Sequence, residues 1–277
     1  MTHIPVLLKE TIEGLNPQPE EFFIDGTFGA GGHSQAIKEK IGANGKLLAI
    51  DWEKTGENFA DLPEILEKNP PAGGTKADGL ILDLGVSSEQ LDISGRGFSF
   101  LRDEPLLMTY NPKEEPVRQI LTELTEVELF KIIKEYGEER YARRIAKAIY
   151  ERERGQPILT SGELAKVIAN AVPKNYERGR IHPATRTFQA LRIYANRELE
   201  NLERLLQNLR QIIKPGGRVA IISFHSLEDR LVKNYFRDYR KQGKMEIFTK
   251  KPIQASKEEI QKNPRSRSAK LRVAKIL

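Results

Sequence analysis

No cysteine occurs among the 277 residues. That excludes a disulfide scaffold, a thiolate-bound zinc or iron–sulfur centre and a thiol nucleophile. No apolar run approaches the roughly 18–20 residues that cross a bilayer. Met1 to Leu8 lacks the charged and apolar regions of a secretion signal. The expected compartment is therefore the cytoplasm, with no membrane partner. A G-K-[ST] phosphate loop is missing too, as is a metal-ligand cluster with convincing spacing. Hydrophobic residues at 39% and charged residues at 30% are enough for a sizeable core under a polar surface, in one large domain or two ordinary ones.

The charge that is present is unevenly placed. The chain carries 45 Lys+Arg and 39 Asp+Glu, a net +6. Residues 230–277 hold 15 basic and 4 acidic side chains, a net +11, and residues 1–229 hold 30 and 35, a net −5. A basic C-terminal face on a slightly acidic body suggests a polyanionic partner.

Four continuous apolar runs read as buried parallel strands: Glu21 to Asp25, Lys46 to Asp51, Gly79 to Leu84 and Gly217 to Phe224. Strands separated by helical stretches predict a doubly wound α/β fold with a mostly parallel sheet. Helical spacing runs through Thr125–Arg154, then around Leu164 and Ile168. It returns from about Thr185 to Ile213, where Lys214-Pro215-Gly216-Gly217 stops it. That is too much for one crossover. The expected division is an inserted all-helical subdomain at residues 106–189, with residues 1–105 and 190–277 forming the sheet domain.

The first strand runs into Gly26-Thr27-Phe28-Gly29-Ala30-Gly31-Gly32-His33-Ser34 and then a helix. A strand, a glycine-rich turn and a helix aim backbone N–H groups at a ligand that approaches closely. Asp51, at the end of the second strand, is the expected partner of a ribose diol. A dinucleotide G-x-G-x-x-G begun at Gly29 would need glycine at 34 and finds Ser34. The pattern points to an adenosine-type ligand with no phosphate to cradle.

Six further segments are dense and specific. They are Asp83 to Asp92, Arg96 to Phe100, Tyr136 to Arg140, His182 to Ile193, Ser223 to Arg230 and Asn263 to Ser268. With Asp25 to Ser34, they resemble, in order and over nearly the whole chain, the bacterial 16S rRNA (cytosine-N4)-methyltransferase family of the RsmH or MraW type. The resemblance implies a class I (Rossmann-like) methyltransferase with a helical insert for substrate recognition. S-adenosylmethionine would be the cofactor, and a cytosine in the decoding region of small-subunit rRNA the substrate. Motif by motif, it implies cofactor contacts at Gly31, Gly32, His33, Asp51, Phe59, Asp83 and Gln90.

Two departures stand out. Only seven residues separate Asp51 from Phe59, where the family has room for a helix and another strand. A parallel crossover needs about a dozen residues or more. Either the native loop is truncated or the sequence omits native residues, and omission is favoured. Pro105 to Asn111 also carries Leu107 and Thr109 where the family usually has an acidic and a basic residue.

For the chemistry, an acceptor on the N4 hydrogens would draw the amine lone pair out of the ring and take the proton. Asp83 is the first candidate and His225 the second, while Glu228 and Asp229 read as helix N-terminal charges. A target base has to leave its stack, and Phe98, Phe100 and Tyr110 are aromatics that could hold it. Candidate RNA contacts are Arg140 and Arg144, with Lys147 on the same face. Arg186, Gln189 and Arg192, with Asn196, form a second set, and Arg265, Arg267 and Lys270, with Arg272 just beyond, a third. Two other readings stay open: a nicotinamide-dependent Rossmann oxidoreductase, and an RNA-binding protein of the same fold without activity.

Overall fold

The computed structural model describes residues 4–68, 70, 74, 76–85 and 94–277. The chain divides into two compact units, Met1–Gly85 with Leu199–Leu277, and Val86–Glu198.

The first unit is built on a six-stranded sheet. Its strands are β1 (Phe22–Asp25), β2 (Lys46–Ala49), β3 (Ala77–Asp83), β4 (Ile213–Ser223), β5 (Met245–Ile247) and β6 (Lys270–Ile276), in the order β2-β1-β3-β4-β6-β5. The first four are parallel to one another, and β6 runs antiparallel between β4 and β5. Every residue of β1 is buried, as a strand covered on both faces requires. Alternation splits the apolar side chains between those faces. Ile24, Leu80, Leu82, Val219 and Ile221 form one core with α3 (Leu62–Lys68), α9 (Glu198–Ile212) and α10 (Ser226–Lys241). Phe23, Ile81, Ala220, Ile222 and Leu271 form the other with α1 (Leu8–Leu15) and α2 (Gly32–Ile41). The Phe23 ring fixes the register of β1 on β3. It lies opposite Gly79, where a Cβ would stand 2.1 Å from it.

Among the described residues the second unit has five α-helices: α4 (Val117–Glu123), α5 (Glu126–Gly137), α6 (Ala142–Gly155), α7 (Ser161–Ala171) and α8 (Thr185–Ala195). They share one core running from Phe98 to Leu191. The unit spans 86–198 rather than the expected 106–189, because residues 96–110 are tied to it. Gly97 N–H donates to Glu104, Leu106 N–H to the Leu159 carbonyl, and Tyr110 N–H to Asn196.

Two expectations need correction. The long return helix is two elements, α8 and α9. Asn196 ends the first by capping Arg192 and by clamping Met108 and Tyr110 with its side chain, and Arg197 turns left-handed at φ 49°. Thr125–Arg154 likewise breaks after Gly137, where Glu138 has φ 50°. The basic C-terminal segment is no tail. It supplies α10, β5 and β6, and Arg272 is buried, with Nε 2.7 Å from Asp229 Oδ1. Burial raises the Asp229 carboxyl, but Arg272 and Lys270 outweigh it and hold the group below its usual range.

A carboxyl lowered by folding stabilises above its unfolded pKa and loses that contribution as the pH falls through the lowered value. Arg272→Met is therefore expected to cost about 2–4 kcal/mol at pH 7. The cost should shrink below about pH 4, where the aspartate protonates. Urea unfolding at the two pH values measures it, and an equal cost at both contradicts the ion-pair account.

Candidate active site

The carboxyl ends of β1, β2 and β3 converge on the glycine-rich turn. Asp25 is buried at the end of β1, with Oδ1 accepting from Thr27 N–H at 3.0 Å and Oδ2 from Ser34 Oγ at 2.7 Å. The Thr27 hydroxyl accepts in turn from the backbone N–H of Asp83 at 2.6 Å, which locks the turn to the end of β3. Gly31 has φ 78°, and a Cβ there would stand 2.8 Å from the Phe28 ring. Only glycine takes that conformation freely. At Gly32, the first residue of α2, a Cβ would stand 2.1 Å from Pro5.

Asp51 follows β2. Its Oδ2 accepts from Gly29 N–H at 2.9 Å, and its Oδ1 from Glu53 and Lys54 N–H at 2.9 and 3.0 Å. It thus joins the glycine turn to the next turn, and one of its roughly four acceptor sites is left for a ligand. Phe59 opens a short 3-10 helix whose N-cap is Asn58, and its Cβ lies 3.1 Å from where a Gly26 Cβ would be. The seven-residue segment therefore still brings Phe59 beside the turn. It forms no strand, so among the described residues β1 is the only neighbour of β2.

Asp83 ends β3 with an unusual carboxylate. Its Oδ1 is buried and has no hydrogen-bond partner among the described residues. Its Oδ2 lies 3.6 Å from His33 Nδ1. Burial, then the charges of Asp25 and Glu228, push Asp83 up to about 8. Burial also lifts Asp25 to about 6, with the Ser34 and Thr27 hydrogen bonds working against it. Gln90 lies outside the described residues.

His225 is a helix-entry residue. It caps α10, its Nδ1 accepting from Glu228 N–H at 3.4 Å, while Glu228 Oε2 accepts from Phe224 and His225 N–H at 2.8 and 3.2 Å. Its buried Nε2 is 3.2 Å from Glu228 Oε1 but at angles that make no hydrogen bond. Glu228 is buried and bends back to the strand end rather than sitting as an exposed helix charge.

The candidate RNA contacts separate into two kinds. Arg140 and Arg144 are exposed, with Arg140 stacked on the Tyr141 ring at 4.6 Å. Arg186, by contrast, binds Glu177 at 3.0 Å and lies 3.8 Å from the buried Glu139. Gln189 donates to the Tyr136 carbonyl, and Arg192 grips Glu198 with two bonds of 2.7 and 2.9 Å. These three, with buried Asn196, hold the insert together. Lys270 reaches Asp229 at 3.4 Å, and Arg267 is exposed. The aromatics are also spoken for. Phe98 stacks on Tyr110 at 5.5 Å, and Phe100 on His182 at 4.4 Å. Arg96 binds the carbonyls of Thr109 and Tyr110, and Leu107 and Met108 N–H donate back to its own carbonyl. The Pro105–Asn111 segment is therefore held by its backbone, which the changes at 107 and 109 leave intact.

The sequence over residues 1–277 matches the model of the MraW methylase family. This chain belongs to that family. It is similar to the ribosomal RNA small subunit methyltransferase H of Heliobacterium mobile, at 43% identity over 305 aligned positions covering 98% of each chain. It is also similar to the protein of that name from Clostridioides difficile, at 42% identity and 98% of each chain. Aligning 98% of 277 residues over 305 positions leaves positions that only the Heliobacterium relative fills. That agrees with an internal segment shorter here than in the relative.

The turn makes a direct prediction. Gly42 also has positive φ, at 73°, but a Cβ there would meet nothing within 4 Å. Gly31→Ala should cost about 2–3 kcal/mol and Gly42→Ala about 1 kcal/mol. Equal losses in denaturant titrations would mean that the turn yields to the new methyl group.

Proposed function

We propose that this MraW-family chain transfers a methyl group from S-adenosylmethionine to the exocyclic N4 of a decoding-region cytosine in 16S rRNA. It would act in the cytoplasm on RNA within the small ribosomal subunit. The observation that carries the reading is the buried Oδ1 of Asp83, without a hydrogen-bond partner among the described residues, beside a glycine turn that has no room for a Cβ at Gly31 or Gly32. Among the described residues no helix is long and apolar enough to cross a membrane.

The residues fit the cofactor. Gly31, Gly32 and His33 line the turn, Asp51 has one acceptor site left for a ribose hydroxyl, and Phe59 offers a ring beside Gly26. Gln90 joins the set on the family motif. S-adenosylmethionine supplies an electrophilic methyl on a good leaving group. The protein then has to position the amine, accept its proton and exclude water. Asp83 Oδ1 would accept an N4 hydrogen. His225 would act through Glu228, which it orients by capping α10. Arg140 and Arg144 on the insert, and Arg265 and Arg267 near the C-terminus, would contact phosphate, each contact steepening the salt dependence of binding. Arg186, Gln189 and Arg192 would shape the insert that presents them.

The test is mass mapping of small-subunit rRNA from cells with and without this protein, together with labelled methyl transfer to particles from the cells lacking it. One cytosine should gain a methyl on N4 only when the protein is present, and an unchanged methylation map overturns the reading. Asp51→Asn keeps the turn acceptor at Oδ1 and removes the charge. It should weaken S-adenosylmethionine binding about tenfold or more by calorimetry. Unchanged affinity removes Asp51 from the ribose.

A further inference from the structure

We propose that His33 and Asp83 hold one proton between them, and that His33 is a positioning residue that draws this proton away so that Asp83 meets the cytosine amine as an anion. This rests on the N4 reading above.

The ring of His33 is fixed from one side. Its Nε2 lies 3.1 Å from the Val6 carbonyl, which can only accept, so Nε2 carries a hydrogen. The peptide that follows is itself held, because Leu7 N–H donates to Glu259 of α11 (Lys257–Lys262) at 2.8 Å. Nδ1 is the ring nitrogen turned to Asp83. It lies 3.6 Å from Asp83 Oδ2, with the two side chains 6% and 19% exposed. Two bare acceptors that close in a buried site repel each other, and one proton placed on either turns repulsion into attraction.

The surroundings keep that proton in the pair. Two more carboxylates face Asp83, Asp25 from β1 and Glu228 from α10, and Asp51 after β2 acts in turn on Asp25. The nearby cation on the turn, Lys54, donates to the Gly29 carbonyl at 2.7 Å and is exposed. Burial and like charge push Asp83 up to about 8, which favours its neutral acid near pH 7. A neutral acid cannot take a second proton. An imidazole, ordinarily near pKa 6.5, is close enough to share it. Among the carboxylates only Asp83 leaves a buried oxygen without a partner. Asp25 is bonded to Thr27 and Ser34, Asp51 to three backbone amides, and Glu228 Oε2 to two.

The step balances. The N4–carbon bond forms as the sulfur–carbon bond breaks, and that electron pair stays on sulfur. N4 gives one hydrogen to Asp83 Oδ1 as a proton. Asp83 ends as a neutral acid beside an imidazolium, and the added proton leaves to solvent before the next turnover.

The test pairs two readouts. In the protein alone, nitrogen-15 NMR of the His33 ring should show Nδ1 partly protonated near pH 7, and Asp83→Asn should turn this into a single ordinary imidazole titration. In single turnovers at saturating S-adenosylmethionine and small-subunit particles, His33→Gln keeps a donor for Val6 but cannot hold the proton. Its rate should fall at least tenfold at pH 7, and its acid limb should move up by about one pH unit or more. Circular dichroism and thermal unfolding check that the variant is folded, and the Asp83→Asn NMR comparison stands if it is not. A bare Nδ1 from pH 5 to 9, or an unchanged pH profile in a folded His33→Gln enzyme, overturns the proposal. Failure of the N4 reading shows up separately, as absence of N4-methylcytosine in rRNA treated with the wild-type protein, with the NMR titration unaffected.

Discussion

Burial of like charge at the carboxyl ends of the central strands is the constraint on which the rest depends. Asp25 and Asp83 end neighbouring strands, and Glu228 is near enough to raise Asp83 further. Burying carboxylates costs stability unless each is paired or protonated. The surrounding sequence reads as a set of answers to that cost. Ser34 and Thr27 serve Asp25, three amides of two turns serve Asp51, and the cap of α10 serves Glu228. Among the described residues, Asp83 is left with one oxygen unserved.

The same economy explains the helical unit. Its charges are spent mostly on itself. Glu139 is fully buried because Tyr176 Oη donates to it at 2.5 Å, Tyr141 N–H bonds its other oxygen, and Arg186 stands by. Arg192 and Glu198 close the break between α8 and α9. Dense polar motifs in this part of the chain thus encode an architecture as much as a surface. Arg140, just before α6, and Arg144 on it stay exposed.

Much of the site was legible in the sequence because it lies in one short segment. Gly29, Gly31, Gly32, Asp51 and Asp83 stand at strand ends that apolar runs mark out. Asp25 was the overlooked member, although it closes the first apolar run just as Asp51 closes the second. What was not legible depends on pairs distant in sequence. Arg272 read as part of a basic face because its partner, Asp229, is 43 residues away. Strand β6 reads Lys-Leu-Arg-Val-Ala-Lys-Ile, with too many cations for a buried strand until that partner is known. Strand β5 has only three residues, too few for a period to show. The breaks at Glu138 and Asn196 come from left-handed residues and a side-chain clamp that helical spacing cannot register.

If the buried acid cluster is the seat of the methyl donor, binding a sulfonium cation there must lower the pKa of Asp83 and Asp25, which now stand near 8 and 6. Linkage then requires that protons be released on binding. The direct measurement is calorimetry of S-adenosylmethionine binding at pH 7 in buffers of different ionisation enthalpy. The account predicts release of a sizeable fraction of a proton, reduced in Asp83→Asn and fading below about pH 5, where the bulk proton concentration keeps the acids protonated. A binding enthalpy independent of the buffer, with no proton released, would contradict it.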